Sequence, residues 1–103
     1  MKYAVCDLET TGLGVESQII EIAILIIEDE KIVDSYQTLI NPMVKIGDDI
    51  FKLTKISARQ IEAAPKFYDV APTVMRLLSG KVFVSHKTDF DYEVLKRHFA
   101  SLG

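Results

Sequence analysis

The chain has 103 residues, with twelve basic against fifteen acidic side chains and a net charge of −3, so no global positive field draws a polyanion to it and any phosphate must be held locally. A hydrophobic fraction of 49%, with aromatics at 9% and charged residues at 26%, excludes a disordered or low-complexity chain and indicates one globular domain over residues 1–103, burying roughly 65% of the surface its unfolded chain exposes. Cys6 is the only cysteine, which excludes an internal disulfide, and the N-terminus has neither a signal nor a transit layout, so a cytoplasmic location with no membrane partner is expected.

The first element is a strand over residues 2–8, apolar at both parities, with Tyr3 and Val5 against Ala4, Cys6 and Leu8. That pattern predicts a central strand covered on both sides. IIEIAILII, Ile19 to Ile27, is too rich in β-branched residues for a comfortable helix and reads as a second strand with Glu21 as its only charge. EDEK turns the chain, and IVDSYQTLI follows as a less apolar outer strand ending at Asn41 and Pro42. After a loop around Gly47, Ser57 and Gln60 form a capping box, with Ile56 and Ile61 as its hydrophobic staple, and a short helix ends by Ala64 and Pro65. A second helix is predicted from about Asp69 to Ser79, stopping at Gly80, and KVFVS, residues 81–85, is the fourth strand. Reached through helices, that strand is most easily parallel to one of the first, which makes the sheet mixed. The last helix runs from Asp89 to about Leu102, with Phe90, Val94, Leu95, Phe99 and Leu102 on one apolar arc. Asp91 and His98 fall inside that arc.

Side chains alternate along a strand, so the D-x-E spacing turns Asp7 and Glu9 to the same face. Asp91 begins a helix at the C-terminal end of a parallel strand, where open α/β sheets usually place their sites. Three carboxylates brought together would repel and lose hydration, raising their pKa values, and a divalent cation removes that cost. Hard oxygen donors without a zinc-type cysteine or histidine cluster suit magnesium or manganese, and with them phosphoryl chemistry.

DLETTGL together with SHKTDFD resembles the first two motifs of the DnaQ-like 3′-5′ exonucleases, the DEDD superfamily in its DEDDh form, of the proofreading epsilon type. IIEIAIL, the hairpin ending in LINP, LTKIS and APKFYDV extend that likeness along the whole chain. The resemblance implies an α/β ribonuclease H-like fold: a mixed sheet of antiparallel hairpin strands plus a parallel strand, flanked by helices, without the family's last strand and helix. It implies two divalent ions, Mg2+ or Mn2+, with Asp7 bridging both, Glu9 on one and Asp91 completing that site. Thr10, Thr11, Gly12 and Leu13 would receive the 3′-terminal nucleotide of single-stranded DNA or RNA, and Phe90 would line the same groove. His86 belongs to the loop of the second motif, and Lys87 stands where the family often has asparagine. A third motif, H-x-x-x-x-D on a further helix, supplies the family's general base and fourth ligand; none follows Asp91, so catalysis by this chain is expected to be incomplete. A polymerase or repair partner is implied, and an edge at Lys81 to Ser85 left uncovered would invite self-association.

Blander readings stand beside these. Asp7 and Glu9 also suit a strand end emerging into water, and Asp91 a first-turn acid stabilised by the helix dipole. Glu21 reads as a strand-end acid accepting a hydrogen bond from the Thr10 to Gly12 turn. His98 reads as a satisfied helix histidine, Cys6 as a small buried hydrophobe, and Lys87, Lys96 and Arg97 as solvated or phosphate-binding cations. Two other functions fit less of the sequence. One is an exonuclease-like module that binds nucleic acid or a protein without cleaving; the other is a haloacid dehalogenase-type phosphatase loop, which a following hairpin disfavours.

Overall fold

Three runs of alternating or β-branched residues near the N-terminus build most of the sheet. The computed structural model describes residues 1–12, 14 and 16–103. Its elements are β1 (Lys2–Thr10), β2 (Ile19–Glu28), β3 (Lys31–Leu39), α1 (Asp48–Thr54), α2 (Ala58–Ala63), α3 (Phe67–Leu78), β4 (Val82–Val84) and α4 (Thr88–Ala100). The strand order is β3-β2-β1-β4, with β1 antiparallel to β2 and parallel to β4. The mixed α/β sheet is therefore the one the sequence predicts, and β4 is an edge. No helix among the described residues is long and apolar enough to cross a membrane.

Among the described residues, α3 and α4 cover one face of the sheet and leave the other largely open, which corrects the expectation that β1 is buried on both. Ala4, Cys6 and Leu8 join Ile22, Ile24 and Ile26 under Val70, Val74 and Leu77 of α3 and Val94 and Leu95 of α4. Tyr3, Val5, Asp7 and Glu9 turn the other way. There Tyr3 and Leu25 keep 38% of their surface, Val82 43% and Val84 37%, so an apolar strip of sheet faces outward. Apolar composition at both parities does not say whether a second layer exists to cover it.

Between β1 and β2 the register shifts after Glu9 pairs with Glu21, so that Thr10 pairs with Ile19 and Ile20 is the extra residue. A bulge at the end of a pairing commonly re-aims side chains beside a site. Here it lets consecutive isoleucines both be buried, Ile19 in the main core and Ile20 in a second cluster with Ile46 and Ile61. The β2–β3 turn is two residues long, with Asp29 and Glu30 at φ 51° and 65°. Positive φ at both positions matches the twist of a tight hairpin.

The helices refine the reading of the sequence. The Ser57–Gln60 capping box forms as predicted: the Gln60 N–H donates to Ser57 Oγ at 3.1 Å, and the Ser57 N–H to Gln60 Oε1 at 2.8 Å. Helix α1 stands where the sequence predicts only a loop around Gly47. It is seven residues long and lacks a side-chain cap, too short to be stable from propensity alone; Ile50 and Phe51 hold it against the Ile20, Ile46 and Ile61 cluster. Helix α3 starts at Phe67, before Asp69, because Asp69 Oδ2 accepts the Lys66 N–H at 3.0 Å and the Phe67 ring meets His98 and Phe99 edge-on at 5.2 and 5.1 Å. Helix α4 ends at Ala100, so Leu102 lies outside it and 46% exposed. That corrects its assignment to the apolar arc, which needs helical geometry to reach the core.

Candidate active site

β1 is long enough to run past its partner. Its pairing with β4 ends at Val5 and Val84, so Asp7 and Glu9 project beyond β4 at the carboxyl ends of two parallel strands. There they face the start of α4. The α4 backbone closes its first turn with the Asp91 N–H donating to the Lys87 carbonyl at 2.8 Å, which swings the Asp91 carboxylate inward until it is 5% exposed. Asp7, Glu9 and Asp91 line one cleft of about 360 Å³ with Leu8, Thr10, Gly12, His86, Lys87 and Phe90. The inward position of Asp91 is thus as its place on the helix wheel predicts.

Electrostatics in the cleft disfavour three bare charges. Burial pushes the Asp91 carboxyl above its ordinary value; the Ser85 hydroxyl pulls down, the Asp7 charge pushes up, and Lys87 and His86 pull down. Glu9 is raised by partial burial first, then by Asp7 and Glu21, with Lys87 opposing. Glu21 sits directly across from Glu9 in the β1–β2 pairing. Its carboxylate accepts the Gln37 Nε2–H at 2.9 Å rather than a bond from the Thr10 to Gly12 turn, which corrects the sequence reading: β3 lies beside β2 and offers the nearer donor. The turn closes on itself, Thr10 Oγ1 donating to the Gly12 carbonyl. Cys6, on the opposite face of β1, is pushed up to about 12 by burial, then by Asp91 and Asp7. It stays a thiol and is no nucleophile.

Among the described residues no three His, Cys, Asp or Glu side chains stand close enough together to cage an ion as they are. The three acids share a cleft without closing on one point, as like charges do. The donor set nevertheless fits a hard divalent cation: carboxylate oxygens, one of them buried with a raised pKa, beside Ser85 Oγ, which is buried without a completed hydrogen bond. It does not fit zinc.

The substrate-side residues divide. Thr10, Gly12 and Phe90 line the cleft, while Thr11 turns away to Gln18, whose N–H donates to Thr11 Oγ1 at 3.0 Å. Leu13 lies outside the described residues. His86 is exposed at the cleft wall and Lys87 stands beside it. Sequence reasoning missed Ile50 and Leu53, which α1 brings to the same cleft. Leu53 is 79% exposed there; its i, i+3 spacing from Ile50 after Gly47-Asp48-Asp49 was the available signal.

Residues 4–103 match the family model described as Exonuclease, of the RNase T type. The chain belongs to that exonuclease family. It is 37% identical over 103 residues to a DNA polymerase III PolC-type from Caldanaerobacter subterraneus subsp. tengcongensis, covering 99% of this chain and 7% of that protein. It is 38% identical over 98 residues to the 3′-5′ exonuclease DinG of Staphylococcus haemolyticus, covering 94% of this chain and 11% of the other. The chain thus spans about a tenth or less of these relatives' length. Among solved structures, Exonuclease X in complex with 5′ overhanging duplex DNA superposes with a TM-score of 0.77 at 29% identity, covering 90% of this chain and 53% of that one. Exonuclease I (apo) superposes at 0.83 with 16% identity, over 96% of this chain and 24% of its own, a likeness of fold. The exonuclease fold here is ribonuclease H-like, and exonucleases of this family depend on divalent metal.

Proposed function

We propose that the cleft between β1 and α4 is the metal site of a 3′-5′ exonuclease acting on 3′ ends of single-stranded nucleic acid, DNA before RNA. The observation that carries this is the meeting of Asp7, Glu9 and Asp91 in one cleft of a chain that belongs to the exonuclease family. Asp7 would contact two Mg2+ or Mn2+ ions, Glu9 and Asp91 one of them. When bound, such ions offset the charge that develops on the phosphate during hydrolysis. Thr10 and Gly12 would hold the terminal sugar. Phe90, Ile50 and Leu53 offer apolar surface to bases, and Lys87 stands where it can pair with a phosphate. Similarity to a DNA polymerase III PolC-type protein and to Exonuclease X bound to duplex DNA favours DNA over RNA and supports a polymerase context.

The test is degradation of a 5′-labelled single-stranded oligonucleotide with Mn2+, by this chain and by any longer protein that contains it, beside Asp7→Ala. A 3′-shortening ladder that falls roughly a thousandfold in Asp7→Ala is expected. A second reading is a module that binds 3′ ends without cutting them. Metal-dependent binding with no ladder in either protein supports that reading instead. Self-association through the β4 edge and the exposed strip of Tyr3, Leu25, Val82 and Val84 belongs to the same proposal. Static light scattering should show the mass rising with concentration; a constant monomer mass counts against it.

A further inference from the structure

Helix α4 lines the cleft through Asp91 in its first turn and, away from the cleft, bonds the chain behind the Thr10–Gly12 segment through two residues of its last. Arg97 Nη2 donates to the Ser17 carbonyl at 2.7 Å. His98 Nε2 lies 3.2 Å from the Ile19 N–H and its Nδ1 lies 2.8 Å from the Val94 carbonyl. A carbonyl only accepts, so the proton sits on Nδ1 and the Nε2 lone pair is left to receive Ile19. Both ring nitrogens are therefore used, in a side chain 7% exposed against a residue, Ile19, that is 0% exposed. Ser17 and Ile19 flank Gln18, and Gln18 clasps Thr11 with two bonds: its N–H to Thr11 Oγ1 at 3.0 Å and its carbonyl from the Thr11 N–H at 2.9 Å. Thr11 lies between Thr10 and Gly12, both of which line the cleft.

We infer that Arg97 and His98 are positioning residues: through Gln18 they fix the Thr10–Gly12 segment at a set distance from Asp91. The helix is a rigid spacer, with Asp91 and His98 roughly 10 Å apart along its axis at 1.5 Å per residue. The segment that would receive a nucleotide and the acid that would hold metal are thereby carried on one frame, although they lie about eighty residues apart in the chain. Neither residue touches the cleft, so neither should affect metal binding itself. This inference rests on the nucleotide-receiving role proposed for Thr10–Gly12, and its test separates the two.

In the full chain, amide hydrogen exchange at Thr11, Ile19 and Val94 is measured in His98→Leu, His98→Gln, Arg97→Ala and Arg97→Lys. The same samples are titrated with Mg2+ and then with thymidine 5′-monophosphate. His98→Leu and Arg97→Ala should speed exchange at Thr11 and Ile19 at least tenfold, leave Val94 protected, and weaken thymidine monophosphate about tenfold with Mg2+ affinity unchanged. His98→Gln, whose side-chain oxygen can take the Ile19 N–H, should restore both, and Arg97→Lys in part. Unchanged exchange at Thr11 and Ile19 overturns the inference, as does nucleotide affinity unmoved in the loosened variants. So does loss of protection spread equally to Val94, the mark of a stability role alone. If His98→Leu does not fold, the Arg97 pair decides. A wild-type chain that binds Mg2+ but no nucleotide refutes the proposed role of Thr10–Gly12, and the exchange data still decide whether the loop is clasped.

Discussion

Asp91→Asn is expected to raise the melting temperature of the metal-free chain and to abolish the further rise that Mn2+ gives the wild type. The amide keeps the shape of the carboxylate and removes a charge that burial and Asp7 both oppose. Removing that opposition should appear as a rise of a few degrees, since a small domain's melting temperature responds strongly to small changes in stability. The cation does the opposite work in the wild type. At about a hundred times its dissociation constant it should stabilise the fold by about 2.7 kcal/mol, and Asp91→Asn forfeits that. The sign with pH follows from the raised carboxyl groups of Asp91 and Glu9. Their folded values lie above the ordinary 3.8 and 4.5, so the folded state keeps protons that the unfolded state has lost. The metal-free chain loses stability as pH rises from about 4 through that window, and the stabilisation by Mn2+ grows over the same range. Differential scanning fluorimetry of both proteins from pH 4 to 7, with and without Mn2+, reads all of this. A variant less stable than wild type without metal would mean that the Asp91 charge is compensated within the protein.

Adjacent residues on β2 should behave in opposite ways. Ile24, 1% exposed, sits beneath α3 and α4 with Cys6 as its cross-strand neighbour. Ile24→Ala removes buried carbon and leaves a cavity, at a cost of about 3–4 kcal/mol, which lowers the melting temperature by more than 10 °C. Leu25 points to the uncovered face with 38% of its surface open. Leu25→Ser should fall within about 0.5 kcal/mol of wild type. Urea denaturation of the two variants at low protein concentration checks the contrast. A large loss in Leu25→Ser would mean that this face is covered in solution.

Much of this arrangement was legible because periodicity reports it directly. The β-branched run of β2, the Ser57–Gln60 box and the inward place of Asp91 all follow from neighbours a few residues apart, and so does the D-x-E pair on one face of β1. What depends on distant packing was not legible. Helix α1 exists because Ile50 and Phe51 find Ile20, Ile46 and Ile61, and no cap announces it. Glu21 meets Gln37 only through the β2–β3 register, and the bond between His98 and Ile19 spans 79 positions. The open face of β1 escaped for a related reason, since apolar side chains show what a second layer would cover and cannot show that one is there.

The central claim is that Asp7, Glu9 and Asp91 together hold divalent metal. Anomalous diffraction from crystals grown with Mn2+ tests it most directly. Strong peaks within ligand distance of Asp7, Glu9 and Asp91, with the Asp7 carboxylate between them if two ions bind, are the predicted result. Manganese bound only elsewhere on the chain, with the three carboxylates still apart, would contradict it.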